Sequence, residues 1–125
     1  MSRSLRTWFP ALCAAVWLAA GPAARADGFE NFDLFPVTGS SYSNGTFRGQ
    51  DGSTWTYHQC RGDQPIGPPR TPTLDKGATP AAHVVSGTLS NGCGTLSFDW
   101  MRPFNTVCNF DVVVNDVVRH TITGG

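Results

Sequence analysis

Charge is scarce in this chain. Asp, Glu, Lys and Arg make up 14 % of its 125 residues, and 9 acidic residues cancel 9 basic ones. Without a basic excess there is no long-range pull towards nucleic acid or an anionic membrane surface. Glutamate occurs once, at Glu30, and Asp33, Asp51 and Asp63 stand at no spacing that marks the paired carboxylates of glycoside hydrolysis. After residue 26 no stretch keeps apolar residues at the 3.6-residue spacing of an amphipathic helix. With 14 Gly and 9 Pro, a helical bundle is excluded. No apolar run reaches the roughly 20 residues that cross a bilayer. The length leaves no room for a second core, so one small domain is expected.

What is present begins with an address. Arg3 and Arg6 precede an apolar run from Trp8 to Ala20, and Ala24-Arg25-Ala26 fits the small-x-small cleavage pattern. This order predicts a signal-peptide helix within residues 1–26 and a mature domain over 27–125, secreted or periplasmic. Loss of Arg3, Arg6 and Arg25 leaves the mature chain mildly acidic. Nucleic acid is therefore not an expected partner, and no membrane attachment is expected after cleavage. Three cysteines remain, Cys60, Cys93 and Cys108, in a compartment that oxidises thiols.

The mature chain alternates apolar and polar residues. Trp55 and Tyr57 alternate with threonines and His58, Leu96, Phe98 and Trp100 with Ser97 and Asp99, and Cys108, Phe110, Val112 and Val114 with Asn109 and Asp111. A period of two places one face of each strand in a core and the other in water. Shorter strands are predicted at Phe29–Asp33, Thr46–Arg48, His83–Leu89 and Val117–Thr123. Asn44-Gly45, Asp51-Gly52, Asn91-Gly92 and Asn115-Asp116 are turn signals, because Asn, Asp and Gly tolerate positive φ. Residues 64–80 hold five prolines and are expected to form one long extended loop. Many short strands between such turns predict an all-β, antiparallel sandwich. No returning strand follows Thr123-Gly124-Gly125, which reads either as the turn of an incomplete sandwich or as a frayed glycine tail.

Several stretches carry a resemblance. They include Glu30-Asn31-Phe32, the run from Gly39 to Phe47, Gly52 to Tyr57, Arg61-Gly62-Asp63, Ser86 to Leu89, Gly94 to Phe98 and Asp111 to Asn115. Together the chain resembles bacterial secreted jelly-roll β-sandwich domains that accompany extracellular hydrolases or nucleases as accessory, carbohydrate-binding-like modules. The resemblance implies a non-catalytic binding function, with a glycan as the expected partner and no cofactor. Members of that kind continue for several more strands, so the chain is expected to be C-terminally truncated.

The residues add candidates of their own. Sugar rings stack on exposed aromatic faces, and Tyr42, beside Asn44-Gly45, is expected to be exposed, with Asn44 and Asp51 as hydrogen-bonding loop residues. Trp55, Tyr57 and Trp100 are expected in the core. Arg61-Gly62-Asp63 matches an integrin-recognition tripeptide but is read as a turn with an Arg–Asp pair. His58 and Cys60, two apart, form one ligand pair where zinc sites show two, so no metal is expected. Without a Gly-x-Ser-x-Gly elbow, His58, His83 and His120 do not define a hydrolase. A small secreted hydrolase and a purely structural fragment are the alternative readings. Cys60 and Cys93 at strand ends are expected to form a disulfide, while Cys108, in phase with Phe110, is expected to be a buried free thiol.

Overall fold

The computed structural model describes residues 29–66, 70–89 and 92–124. The signal segment 1–26 lies outside them, as does Asn91 of the Asn91-Gly92 turn. The described chain is all-β and antiparallel, with six strands: β1 (Ser43–Arg48), β2 (Thr54–Arg61), β3 (Thr73–Leu74), β4 (His83–Ser86), β5 (Cys108–Val114) and β6 (Val117–Gly124). β2 is the centre of the first sheet. One edge pairs with β1; the other pairs with β4 along Trp55–His58 and with β3 at Cys60 and Arg61. β5 and β6 form a second, two-stranded sheet.

The β1–β2 connection follows from the Asp51-Gly52 signal. The Asp51 carboxylate accepts from the Ser53 amide at 2.9 Å and the Ser53 hydroxyl at 2.5 Å, while Gly52 supplies φ of +81°. Asn44-Gly45, expected as a turn, lies inside β1. The cause is tertiary: the Tyr57 ring lies across Gly45, where a Cβ would stand 2.7 Å from its hydroxyl. The glycine provides clearance rather than a positive φ. Opposite it, β2 carries an extra residue. Ser43 pairs with Cys60 and Gly45 with Tyr57, and Gln59 adopts φ of +49° with its amide donating to Asn44 Oδ1 at 2.7 Å. A bulge of one residue reverses the phase of everything after it. Cys60 therefore joins Tyr57 in the core, although odd–even counting puts them on opposite faces.

The core cluster consists of Phe35, Phe47, Tyr57 and Cys60, with Phe32, Val37, Trp55 and Val84 against it. Phe35 is fully buried, edge-on to Tyr57 at 5.0 Å and to Phe47 at 5.6 Å. Each such aromatic pair adds about 1 kcal/mol to the burial of its area. Phe35 arrives on a segment that was expected to hold a strand at Phe29–Asp33. Instead Phe32 has φ of +61°, its amide donates to Glu30 Oε1 at 2.6 Å, and the Asp33 amide donates to Asn31 Oδ1 at 3.0 Å. Local side-chain acceptors compete with a sheet ladder for these amides, and here they win. The second carboxylate oxygen of Glu30 accepts from the Gln50 amide at 2.8 Å, tying the segment to the β1–β2 turn.

β5 alternates as predicted. Cys108, Phe110, Val112 and Val114 are half-buried and the residues between them exposed. Asn115 and Asp116, at φ of +52° and +61°, close the hairpin in two residues, the type I′ geometry that suits the right-handed twist of paired strands. The predicted strand at Leu96–Trp100 does not form. That segment is extended without a ladder, and Leu96, Phe98 and Trp100 are 55 %, 46 % and 46 % exposed. Its aromatic rings lie on β5: Phe98 is 6.3 Å and Trp100 5.6 Å from the Phe110 centroid. Trp100 is thus a surface residue, contrary to the expected burial. The described residues of the Gln64–Pro80 segment are loop as expected, except for the two residues of β3.

Candidate functional site

The structure sets Asp51 at the opposite end of β1 from Tyr42 and Asn44, the other two residues expected to bind a ligand. Asp51 is engaged at the β1–β2 turn, while Asn44 lies near the other end of β1 and binds Gln59. The Ser53 hydroxyl and amide hold Asp51 below the usual carboxylate range. Tyr42 is half-buried, with the Arg61 guanidinium 5.5 Å from its ring centroid. Arg61 in turn is held by Asp63 through Nε to Oδ1 at 2.6 Å and Nη2 to Oδ2 at 2.5 Å. The Arg-Gly-Asp tripeptide accordingly carries an internal ion pair across the end of β2 and the bend that follows it. Gly62 is required there, since a Cβ would run into the Val37 carbonyl oxygen. Phe104, from the segment before β5, places its ring 5.3 Å from the same guanidinium.

The histidines and cysteines do not converge as one set. His58 and His83 are cross-strand partners whose rings stack at 5.3 Å, and His83 Nδ1 is 2.9 Å from the Ala81 carbonyl oxygen. His58 Nε2 is buried with no partner among the described residues. Two imidazoles fall one short of the three protein ligands of an open zinc site. No group of three metal-type side chains occurs among the described residues. Cys60 cannot complete the set from His58's face, because the Gln59 bulge has turned it into the core.

The thiol assignments change for the same reason. Cys60, Cys93 and Cys108 are all free in the structure. Cys60 is fully buried, its thiol 3.4 Å from the His58 and His83 carbonyl oxygens, and burial pushes its pKa up to about 11. Cys93 is exposed beside the β5–β6 hairpin, so the expected Cys60–Cys93 bridge is not formed. The buried thiol is that of Cys60, whereas Cys108 is only half-buried.

A groove of about 560 Å³ runs along the half-buried face of the hairpin. Leu96 and Phe98 form one wall, Val112 and Val114 the other, and Asn115, Arg119 and His120 supply its polar atoms. Apolar and polar side chains share its lining in nearly equal measure. Sequence reasoning missed Arg119 and weighed His120 only as a catalytic base. A period-two strand puts neighbours on opposite faces, and nothing local marks where a bulge will fall. Phe98 and Trp100 were noticed, but as core. Compared with family models, curated proteins and solved structures, the chain matches none.

Proposed function

We propose that the chain is an exported, non-catalytic binding module of jelly-roll type, carried out of the cytoplasm by residues 1–26, whose ligand is a glycan. One observation carries the ligand class. Phe98 and Trp100, each 46 % exposed, are held against Phe110 on an extended segment beside the groove. Half-exposed rings braced from behind are rigid platforms, and such a surface strip marks an interaction site. A sugar presents a C–H face to the ring and hydroxyls to the neighbouring polar groups. The all-β frame and the resemblance of the chain's turn-and-core motifs to accessory domains support the same reading.

A glycan array probed with the purified chain tests it, followed by titration of each hit against Trp100→Ala and Trp100→Phe. Binding that is lost with alanine and retained with phenylalanine supports the proposal. An array without hits, on protein whose circular dichroism shows the β signature, overturns it.

A second reading, association through the opposite face of the hairpin, has its own observation. Val113 and Val118 are cross-strand partners and are 52 % and 53 % exposed. Sedimentation of the wild type and Val118→Lys over a concentration series decides it, since a monomer throughout removes this reading.

A further inference from the structure

The β6 strand presents two polar side chains to one face where a regular strand would present one. Val112 pairs with His120 and Val113 with Val118, which leaves Arg119 as an extra residue between consecutive pairs. Side chains of neighbouring strand residues point to opposite faces, but a bulge re-aims one of them. Arg119 and His120 accordingly line the same groove, against Leu96, Phe98, Val112 and Val114. Among the described residues no carboxylate pairs with Arg119, whereas Arg61 is occupied by Asp63. The groove therefore joins an aromatic face, an unneutralised guanidinium and, from Asn115, an amide.

Resting on the glycan reading above, we propose that this groove takes a sugar bearing a carboxylate, a uronic acid unit. The ring's C–H face lies on Phe98, Arg119 grips the carboxylate, and Asn115 and His120 take hydroxyls. A neutral sugar would use the aromatic wall and leave the guanidinium without a partner. A carboxylate matches its planar fork with two parallel N–H···O bonds, the strong form of this contact. An Arg-to-Lys change keeps the charge and removes that fork.

The test is calorimetric titration of the full chain with oligogalacturonate and with its methyl ester, which keeps the backbone and removes the charge. The acid is expected to bind roughly ten- to hundredfold more tightly than the ester, the range of a bond to a charged group. Arg119→Ala should abolish that difference, Arg119→Lys should lose most of it, and Arg48→Ala should preserve it. Circular dichroism of each variant separates these losses from unfolding. Equal binding of acid and ester, or acid binding indifferent to Arg119, overturns the inference and leaves the glycan reading standing. Failure of both, with hits among other sugars on the array, also overturns only the inference. An array empty of every sugar overturns both.

Discussion

The Arg61 guanidinium grips the Asp63 carboxylate through two parallel hydrogen bonds, and the same guanidinium lies 5.5 Å from the Tyr42 ring centroid and 5.3 Å from that of Phe104. The pair thus joins the end of β2 to the segments that precede β1 and β5. A point charge cannot reproduce this, because the guanidinium both forks onto a carboxylate and stacks on aromatic faces.

That contact makes stability depend on pH. The Arg61 hydrogen bonds, opposed by desolvation and aided by Gln64, lower the Asp63 pKa to about 2. An unfolded Asp titrates near ~3.9. The folded value is the depressed one, so the contribution is fully present above about pH 4 and is lost as pH falls from there towards 2. Urea denaturation at intervals between pH 5 and 2 should show the wild type's advantage over Asp63→Asn shrinking across that window. An advantage unchanged down to pH 2 would show that the pair contributes nothing.

Thiol reactivity should follow burial. Cys93, exposed, is expected to alkylate first under native conditions, and Cys108, half-buried, more slowly. Cys60, fully buried and held as a thiol by its raised pKa, should alkylate only after denaturation. Peptide mapping after iodoacetamide at pH 8 measures this order. Native labelling of Cys60, or a Cys60–Cys93 cross-linked peptide, would refute its placement.

Gly62→Ala should destabilise the fold by about 3 kcal/mol, the upper end for overpacking. Its Cβ would run into backbone, the Val37 carbonyl oxygen, rather than a movable side chain. Gly39→Ala is the control: nothing lies within 4 Å of a Cβ there, so a change within about 0.5 kcal/mol is expected. Chemical denaturation of the two variants compares them directly, and equal midpoints would contradict the crossing of Gly62 over Val37.

Glu30→Ala should cost about 2 kcal/mol, because a charged acceptor serving two amides is removed at once. The affected amides are those of Phe32 and Gln50, which join the segment carrying Phe35 to the β1–β2 turn. Amide exchange should quicken at both positions and stay unchanged in β5. Protection retained at Gln50 in the variant would mean that its amide has another acceptor.

Asp116→Gly should raise the melting temperature, since glycine adopts φ of +61° without the steric cost an Asp carries. A gain of about 0.5 kcal/mol is expected, as Asn-Gly is the preferred pair for this turn. A lowered melting point would show that the Asp116 side chain holds the hairpin in another way.

Local chemistry made part of this protein legible. Period-two alternation marked β2 and β5 correctly, Asn115-Asp116 marked a hairpin turn, and Arg61-Gly62-Asp63 marked an Arg–Asp ion pair, although Arg61 belongs to β2 rather than to a turn. Each depends on residues within a few positions of one another. Other features were decided only by what each segment met in three dimensions. Gly45 is a strand residue because the Tyr57 ring crosses it, and Phe35 is the centre of the core because Glu30 and Asn31 bend its segment away from a ladder. The strand expected at Leu96–Trp100 shows the limit of alternation, which records a wet face and a dry one without naming a hydrogen-bonding partner. Bulges matter most. One extra residue at Gln59 puts Cys60 in the core, and one at Arg119 turns His120 into the groove beside it. The alternating pattern carries no mark of either bulge, because register belongs to a pair of strands and not to one.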